Sequence, residues 1–304
     1  MSEIPLLLLA YNRPDQVRGL IDSLRPLRPK KIMVGIDGPS TKVLDAAKVA
    51  AVREEIEKIN WTDDVEIRSR EINSGIRFAV PDAVSWAISK HGRAIILEDD
   101  VRPGRDFFQF MNFALKEYSA RDNIGHVSGY SPVPKDRLSQ RNSMIRLSKY
   151  PESYAWGTWE RSWSKYSDSL EWAVSLSPNQ IREQTGSWIS GKVWEMNFKD
   201  AHLGAISSWA YRWVASLWKN DLLSLSPNRN LCQYTGQNHG THTFLPRTFS
   251  ELPVSAVSNL MIPDVLELDI VADTFISEKV FRASPIGLVR RYLESTVLNI
   301  LRQK

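Results

Sequence analysis

The chain has 304 residues, 39 Lys and Arg against 35 Asp and Glu, a formal net charge of +4, 42% hydrophobic residues and a single cysteine, Cys232. That length supports a full core in one large domain or two small ones, and one cysteine excludes an intrachain disulfide and a thiolate metal cluster. The mild basic excess is spread along the chain, which suits an anionic ligand or an anionic membrane surface and is too weak to indicate nucleic acid.

Residues 4–10 are apolar and strand-like, and Asn12-Arg13-Pro14 breaks them into a loop. No basic region precedes this run, no cleavage pattern follows it, and no stretch reaches the roughly 20 apolar residues of a membrane span. It reads as a first strand, and a reducing, cytoplasmic setting fits. Pro14 and Asp15 then open a helix with Val17, Leu20, Ile21 and Leu24 at helical spacing. A second strand, 31–36, ends in Asp37-Gly38-Pro39. The next helix carries Val43, Leu44, Ala47, Ala50, Ala51, Ile56 and Ile59, and a third strand spans 65–68. Asn73-Ser74-Gly75 predicts a turn, and Pro81 falls near the start of a helix running to about residue 90.

Ala94-Ile95-Ile96-Leu97 then runs straight into Glu98-Asp99-Asp100. A continuous apolar run of this length predicts a strand buried on both faces, which delivers the three acids at its carboxyl end. Adjacent carboxylates in a cleft call for a compensating cation, and a hard divalent ion such as Mg²⁺ or Mn²⁺ takes oxygen ligands. The alternative is a solvated acidic turn. The alternation of strand and helix up to this point predicts a mostly parallel, doubly wound sheet flanked by helices.

Arg102-Pro103-Gly104 turns into a helix over 106–118, and residues 131–149, rich in Pro, Ser, Arg and Lys, read as a long loop. Nine of the eleven tryptophans lie between Trp156 and Trp218, with Trp209, Trp213 and Leu217 at helical spacing. They predict an aromatic-rich core, with two or three left to face a ligand. Residues 285–304 form a candidate helix with Ile286, Val289, Leu293, Val297, Ile300 and Leu301 on one side and Arg290, Arg291, Arg302 and Lys304 among its charges. Such a helix either closes over the core or docks on anionic lipid or a partner.

Several stretches together resemble one family. Leu8-Leu9-Ala10-Tyr11-Asn12-Arg13-Pro14, Gly35-Ile36-Asp37-Gly38, Glu98-Asp99-Asp100 with the following Val101-Arg102-Pro103-Gly104-Arg105-Asp106-Phe107-Phe108, Tyr154-Ala155-Trp156-Gly157-Thr158-Trp159 and Gly240-Thr241-His242-Thr243 occur in that order. They are similar to the GT-A glycosyltransferases, more closely the group of N-acetylglucosaminyltransferase I and its bacterial, hemolytic-protein-like relatives. The likeness covers roughly residues 4–243. It implies an α/β, GT-A (Rossmann-like) sheet, with a nucleotide-sugar-binding half (1–125), an aromatic-rich acceptor-side half (126–250) and a C-terminal helical extension (251–304).

The resemblance also implies roles. Asp100 meets a Mn²⁺ or Mg²⁺ ion, Asp99 the ribose or a metal-bound water, and Glu98 the hydroxyls of the donor sugar. Asn12 and Arg13 line the nucleotide pocket. Asp37 bonds the base, unless it is a turn or cap acid, and Arg77 reaches the diphosphate, unless it forms a surface ion pair. His242, three residues after His239, completes the metal shell or meets the diphosphate, and Trp156 with Gly157 shapes the acceptor site. One departure stands out: the family's acceptor-activating acid falls at Ala210, which cannot accept a proton. Asp200 is the nominated base, with Glu195 the other near upstream acid and Asp221 further on, unless the chemistry differs from that of the named group. The implied activity is metal-dependent transfer of a sugar from a nucleotide-diphosphate donor, UDP-linked above all, to a bacterial glycan or glycolipid. A sugar nucleotidyltransferase is the first alternative, although residues 9–14 lack the glycines of its phosphate loop. A non-catalytic nucleotide- or glycan-binding relative is the second.

Overall fold

A computed structural model describes residues 3–236, 252–257, 260–263 and 265–302 of the chain, with side chains as far as residue 293. The first part runs β1 (Leu6–Ala10), α1 (Pro14–Leu24), β2 (Ile32–Ile36), α2 (Asp45–Ile56), β3 (Val65–Ser69), α3 (Ile76–His91) and β4 (Arg93–Glu98). After it come β5 (Val101–Pro103), α4 (Phe107–Glu117), β6 (Ile124–Ser128), β7 (Ile145–Ser148) and β8 (Ala155–Trp159). Helices α5 (Glu160–Trp163), α6 (Glu171–Ser175), α7 (Pro178–Thr185), α8 (Trp188–His202) and α9 (Trp209–Lys219) follow. The chain continues with β9 (Leu223–Pro227), β10 (Cys232–Tyr234), α10 (Ile270–Lys279) and α11 (Pro285–Arg302).

Eight strands form one mixed, mostly parallel sheet in the order β3-β2-β1-β4-β8-β6-β9-β7. The first four are parallel, and the continuous apolar runs of β1, β2 and β4 have a physical cause: both faces are covered. Leu6 and Leu8 of β1 pack with α1 and α2, whereas Leu7 and Leu9 pack with Val80, Ala83 and Val84 of α3. The chain therefore changes face between β1 and β4. In open α/β sheets the crevice at such a switch point, outside the carboxyl ends of the strands, is where ligands sit. The architecture is compatible with a Rossmann-like fold. Beyond β4, β8 runs antiparallel to both β4 and β6, β9 is parallel to β6, and β7 closes the edge antiparallel to β9. A separate antiparallel pair joins β5 to β10.

Several local expectations differ from the structure. Leu44 takes a left-handed φ of 66°, so α2 starts at Asp45 and leaves Val43 and Leu44 exposed ahead of it. Helix α3 starts at Ile76 and holds Pro81 inside, at the loss of one hydrogen bond to the Arg77 carbonyl. Residues 131–149 are not one long loop, because they contain β7. Their polar composition misleads since the polar groups are buried against polar partners: Arg146 donates to Ser131 Oγ at 3.2 Å and Asn228 Oδ1 at 3.1 Å, and Ser148 Oγ to Asp273 at 2.5 Å. Trp156 and Gly157 are not a loop at the acceptor site, since both are buried in β8, where a Cβ on Gly157 would lie 2.8 Å from Leu115 of α4.

Trp209, Trp213 and Leu217 do share the buried face of α9, packed with Trp156 and Trp163. The C-terminal helix both docks and presents. Leu288 packs with Val193 of α8, while Ile286, Val289 and Leu293 remain 84, 61 and 65% exposed. No helix among the described residues is long and apolar enough to cross a membrane.

Candidate functional site

Leu9 of β1 lies opposite Glu98 of β4, so Tyr11-Asn12-Arg13 and Asp99-Asp100 leave the sheet side by side at the switch point. Arg13 spans the gap. Its guanidinium donates to both oxygens of Asp99 and, at 2.9 Å, to Oδ2 of Asp100, and both aspartates are buried. The β5–β10 pair brings Thr235 to the same point, where its N–H and Oγ1 donate to the Asp100 carbonyl at 2.7 and 3.0 Å. A Cβ on Gly236 would collide with Asp100 Oδ2, so only glycine lets the chain pass this close. Arg102 faces the backbone instead, donating to the Asp99 carbonyl and to Gln16 Oε1 at 2.8 Å each.

Burial pushes the Asp99 carboxyl up to about 7; the Arg13 charge opposes the rise and Asp100 adds to it. Burial also raises Glu98, helped by the charges of Asp100 and Asp99. Two guanidiniums, Arg13 on the carboxylates and Arg102 beside them on the backbone, against three carboxylates leave the cluster short of positive charge. Asp100 Oδ1 is, in addition, buried with no hydrogen-bond partner among the described residues. An oxygen-rich, under-compensated cluster with an orphaned carboxylate oxygen fits a hard divalent cation. Among the described residues no three His, Cys, Asp or Glu side chains converge as a preformed metal site. His242 and His239 lie outside the described residues.

The other expected residues divide. Asn12 Nδ2 donates to Asp45 at 2.5 Å, beside bonds from the Tyr11 hydroxyl and from Ser40 N–H and Oγ. These hold the Asp45 carboxyl well below the usual carboxylate range although burial works against them. Asp45, which sequence reasoning missed, thus fixes the loop after β1. Asp37 accepts from Asn73 Nδ2, Ser74 N–H and Gly75 N–H at 2.9–3.0 Å, so it clamps the turn leading into α3. Arg77 is held by Asp168 in a two-point pair at 2.9 and 2.5 Å, with Arg212 on the same carboxylate at 2.7 Å. Asp200 accepts from Arg291 at 2.8 Å and so ties α8 to α11.

Glu98 also faces a cavity of about 290 Å³, lined among others by Glu152, Trp209, Ala210, Arg290 and Arg291, but not by Asp200. Ala210, the position at which the resemblance implies an acid, lines this cavity and carries no carboxylate. Glu98 and Glu152 are the two carboxylates that line it. The local sequence of Glu152, Pro151-Glu152-Ser153, carries no pattern that marks it, and only its burial and its neighbours do. No protein-family model matches the sequence, and no curated protein matches it either.

Proposed function

We propose that the chain is a metal-dependent glycosyltransferase of GT-A type that uses a nucleotide-diphosphate sugar, UDP-linked above all, and a glycan or glycolipid acceptor. The observation that carries this reading is the meeting of Arg13 with Asp99 and Asp100 at the switch point, with Glu98 opening from the same strand end into a cavity. Asp100 would hold the Mn²⁺ or Mg²⁺ ion through its orphaned Oδ1, and Asp99 would meet the ribose or an ion-bound water. A bound divalent ion supplies Lewis-acid stabilisation of the charge that develops on the departing diphosphate. Arg13 keeps the two aspartates in register, and Glu98, with no hydrogen bond to its carboxylate from the described residues, is available to donor hydroxyls. The exposed apolar face of α11 beside Arg290 supports peripheral contact with the cytoplasmic face of an anionic membrane, where a glycolipid would be presented.

The test is UDP binding by calorimetry with and without Mn²⁺, together with donor turnover. Binding that strengthens with Mn²⁺, and an Asp100→Asn variant about 10²- to 10³-fold slower, are expected. Metal-independent binding with full activity of the variant would remove the acidic strand end from the mechanism.

A further inference from the structure

Because β8 runs antiparallel to β4, with Ala155 opposite Leu97, it starts where β4 ends. The segment leading into it, Pro151-Glu152-Ser153-Tyr154, therefore arrives beside Glu98, and Glu98 and Glu152 line one cavity with Ala210. Glu152 is 4% exposed, and its Oε1 has no hydrogen-bond partner among the described residues. The other buried acids among the described residues are all bonded: Asp37 and Asp45 to turn groups, Glu55 to Arg18, Asp99 and Asp100 to Arg13, Asp200 to Arg291, Asp269 to Ser139 and Asp273 to Ser148.

The backbone of Glu152, by contrast, is fixed at both ends. Its N–H donates to Ser128 Oγ at 3.2 Å, and its carbonyl lies 3.4 Å from His126 Nε2. Trp213 Nε1 donates to His126 Nδ1 at 3.1 Å, which leaves the imidazole proton on Nε2, directed at that carbonyl. The nearest charges act against each other, Arg146 of β7 favouring the carboxylate and Asp273 of α10 disfavouring it. Tyr130 and Tyr154 are close enough to feel the Glu152 charge, and Glu98, Arg282, Arg290 and Arg291 line the cavity with it. A rigidly placed, buried carboxylate without a partner is unfavourable for the fold alone. An acceptor hydroxyl would give it one.

Building on the glycosyltransferase reading, we propose that this cavity is the acceptor site, that it takes a sugar unit with a free hydroxyl, and that Glu152 is its catalytic base in place of an acid at position 210. Glu152 takes the hydroxyl proton as that oxygen bonds to the anomeric carbon. The bond from this carbon to the phosphate oxygen breaks, its electron pair leaves with the nucleoside diphosphate, and the proton on Glu152 passes to water. Burial also pushes the Glu152 carboxyl up to about 7, where a base is both ionised and effective near neutral pH.

The experiment uses the full chain with Mn²⁺, UDP-glucose, UDP-galactose and UDP-N-acetylglucosamine as donors, and octyl glycosides as acceptors, read as UDP release. Glu152→Gln is expected to lower kcat about 10²- to 10³-fold, to keep UDP affinity within about twofold, and to lose the fall in rate that the wild type shows below about pH 7. Formate should restore part of the rate of Glu152→Ala. Retained UDP affinity also reports that the variants fold. An unchanged rate in Glu152→Gln, or a loss with no change in pH profile and no rescue, overturns the assignment and leaves the glycosyltransferase reading standing. A wild type that neither binds UDP with Mn²⁺ nor releases it from any donor overturns that reading, and this assignment with it.

Discussion

An unpartnered carboxylate in a protein interior weakens the fold whenever it is ionised. Glu152 is raised from 4.5 to about 7, so the native state holds its proton more tightly than the unfolded chain. Its contribution is whole below about pH 4.5, declines as the pH rises through 7 and is lost above that, a change of at most about 3 kcal/mol. Glu152→Gln, which cannot ionise, is therefore expected to be more stable than the wild type at pH 8 by about 1–3 kcal/mol and equal to it near pH 4. Urea midpoints at the two pH values measure this, and equal midpoints at pH 8 would show that the carboxylate is not strained. Sequence made the acids of β4 legible because they are adjacent and end an apolar run. Glu152 and Asp45 were illegible for the opposite reason: each is a single acid whose partners, or lack of them, come from remote segments.

At the scale of elements, periodicity located α1, β1, β2 and β4, because each buries a stripe or both faces, whereas α2 buries Val49, Val52 and Ile56 and leaves Ala47 and Ala50 of the expected stripe exposed. It failed at β7, where a buried polar layer has no apolar signature. The nominated base Asp200 also belongs to this scale. Its carboxylate joins α8 to α11 through Arg291, whose side chain is 20% exposed against 12% for Asp200. Asp200→Asn is expected to weaken that contact by about 1–2 kcal/mol, lower the melting temperature and leave kcat within a few fold of wild type. A collapse in kcat with unchanged melting would restore Asp200 as the proton acceptor.

For the molecule as a whole, α11 carries an exposed apolar stripe of Ile286, Val289 and Leu293 together with the cavity-lining Arg290 and Arg291. Together with a net charge of +4 it favours a particular orientation on an anionic bilayer. Sedimentation with phosphatidylglycerol vesicles should carry the protein down, and a Val289→Glu, Leu293→Glu double variant should bind about tenfold less or weaker still. Equal binding of the variant, or equal binding to neutral phosphatidylcholine, would count against that orientation.

The order of the sheet also sets an order of assembly. Residues 6–98 supply four parallel neighbours joined by short crossovers, and they can pair as soon as they are made. Strand β6, made next, cannot join them directly, because β8 lies between it and β4. Strand β6 therefore has no sheet neighbour until 155–159 come in antiparallel between it and β4. Glu98, Asp99 and Asp100 belong to the first four-strand unit, whereas the meeting of Glu98 with Glu152 needs β8 beside β4. A fragment that stops short of residue 155 has the first carboxylate and no cavity for it to face.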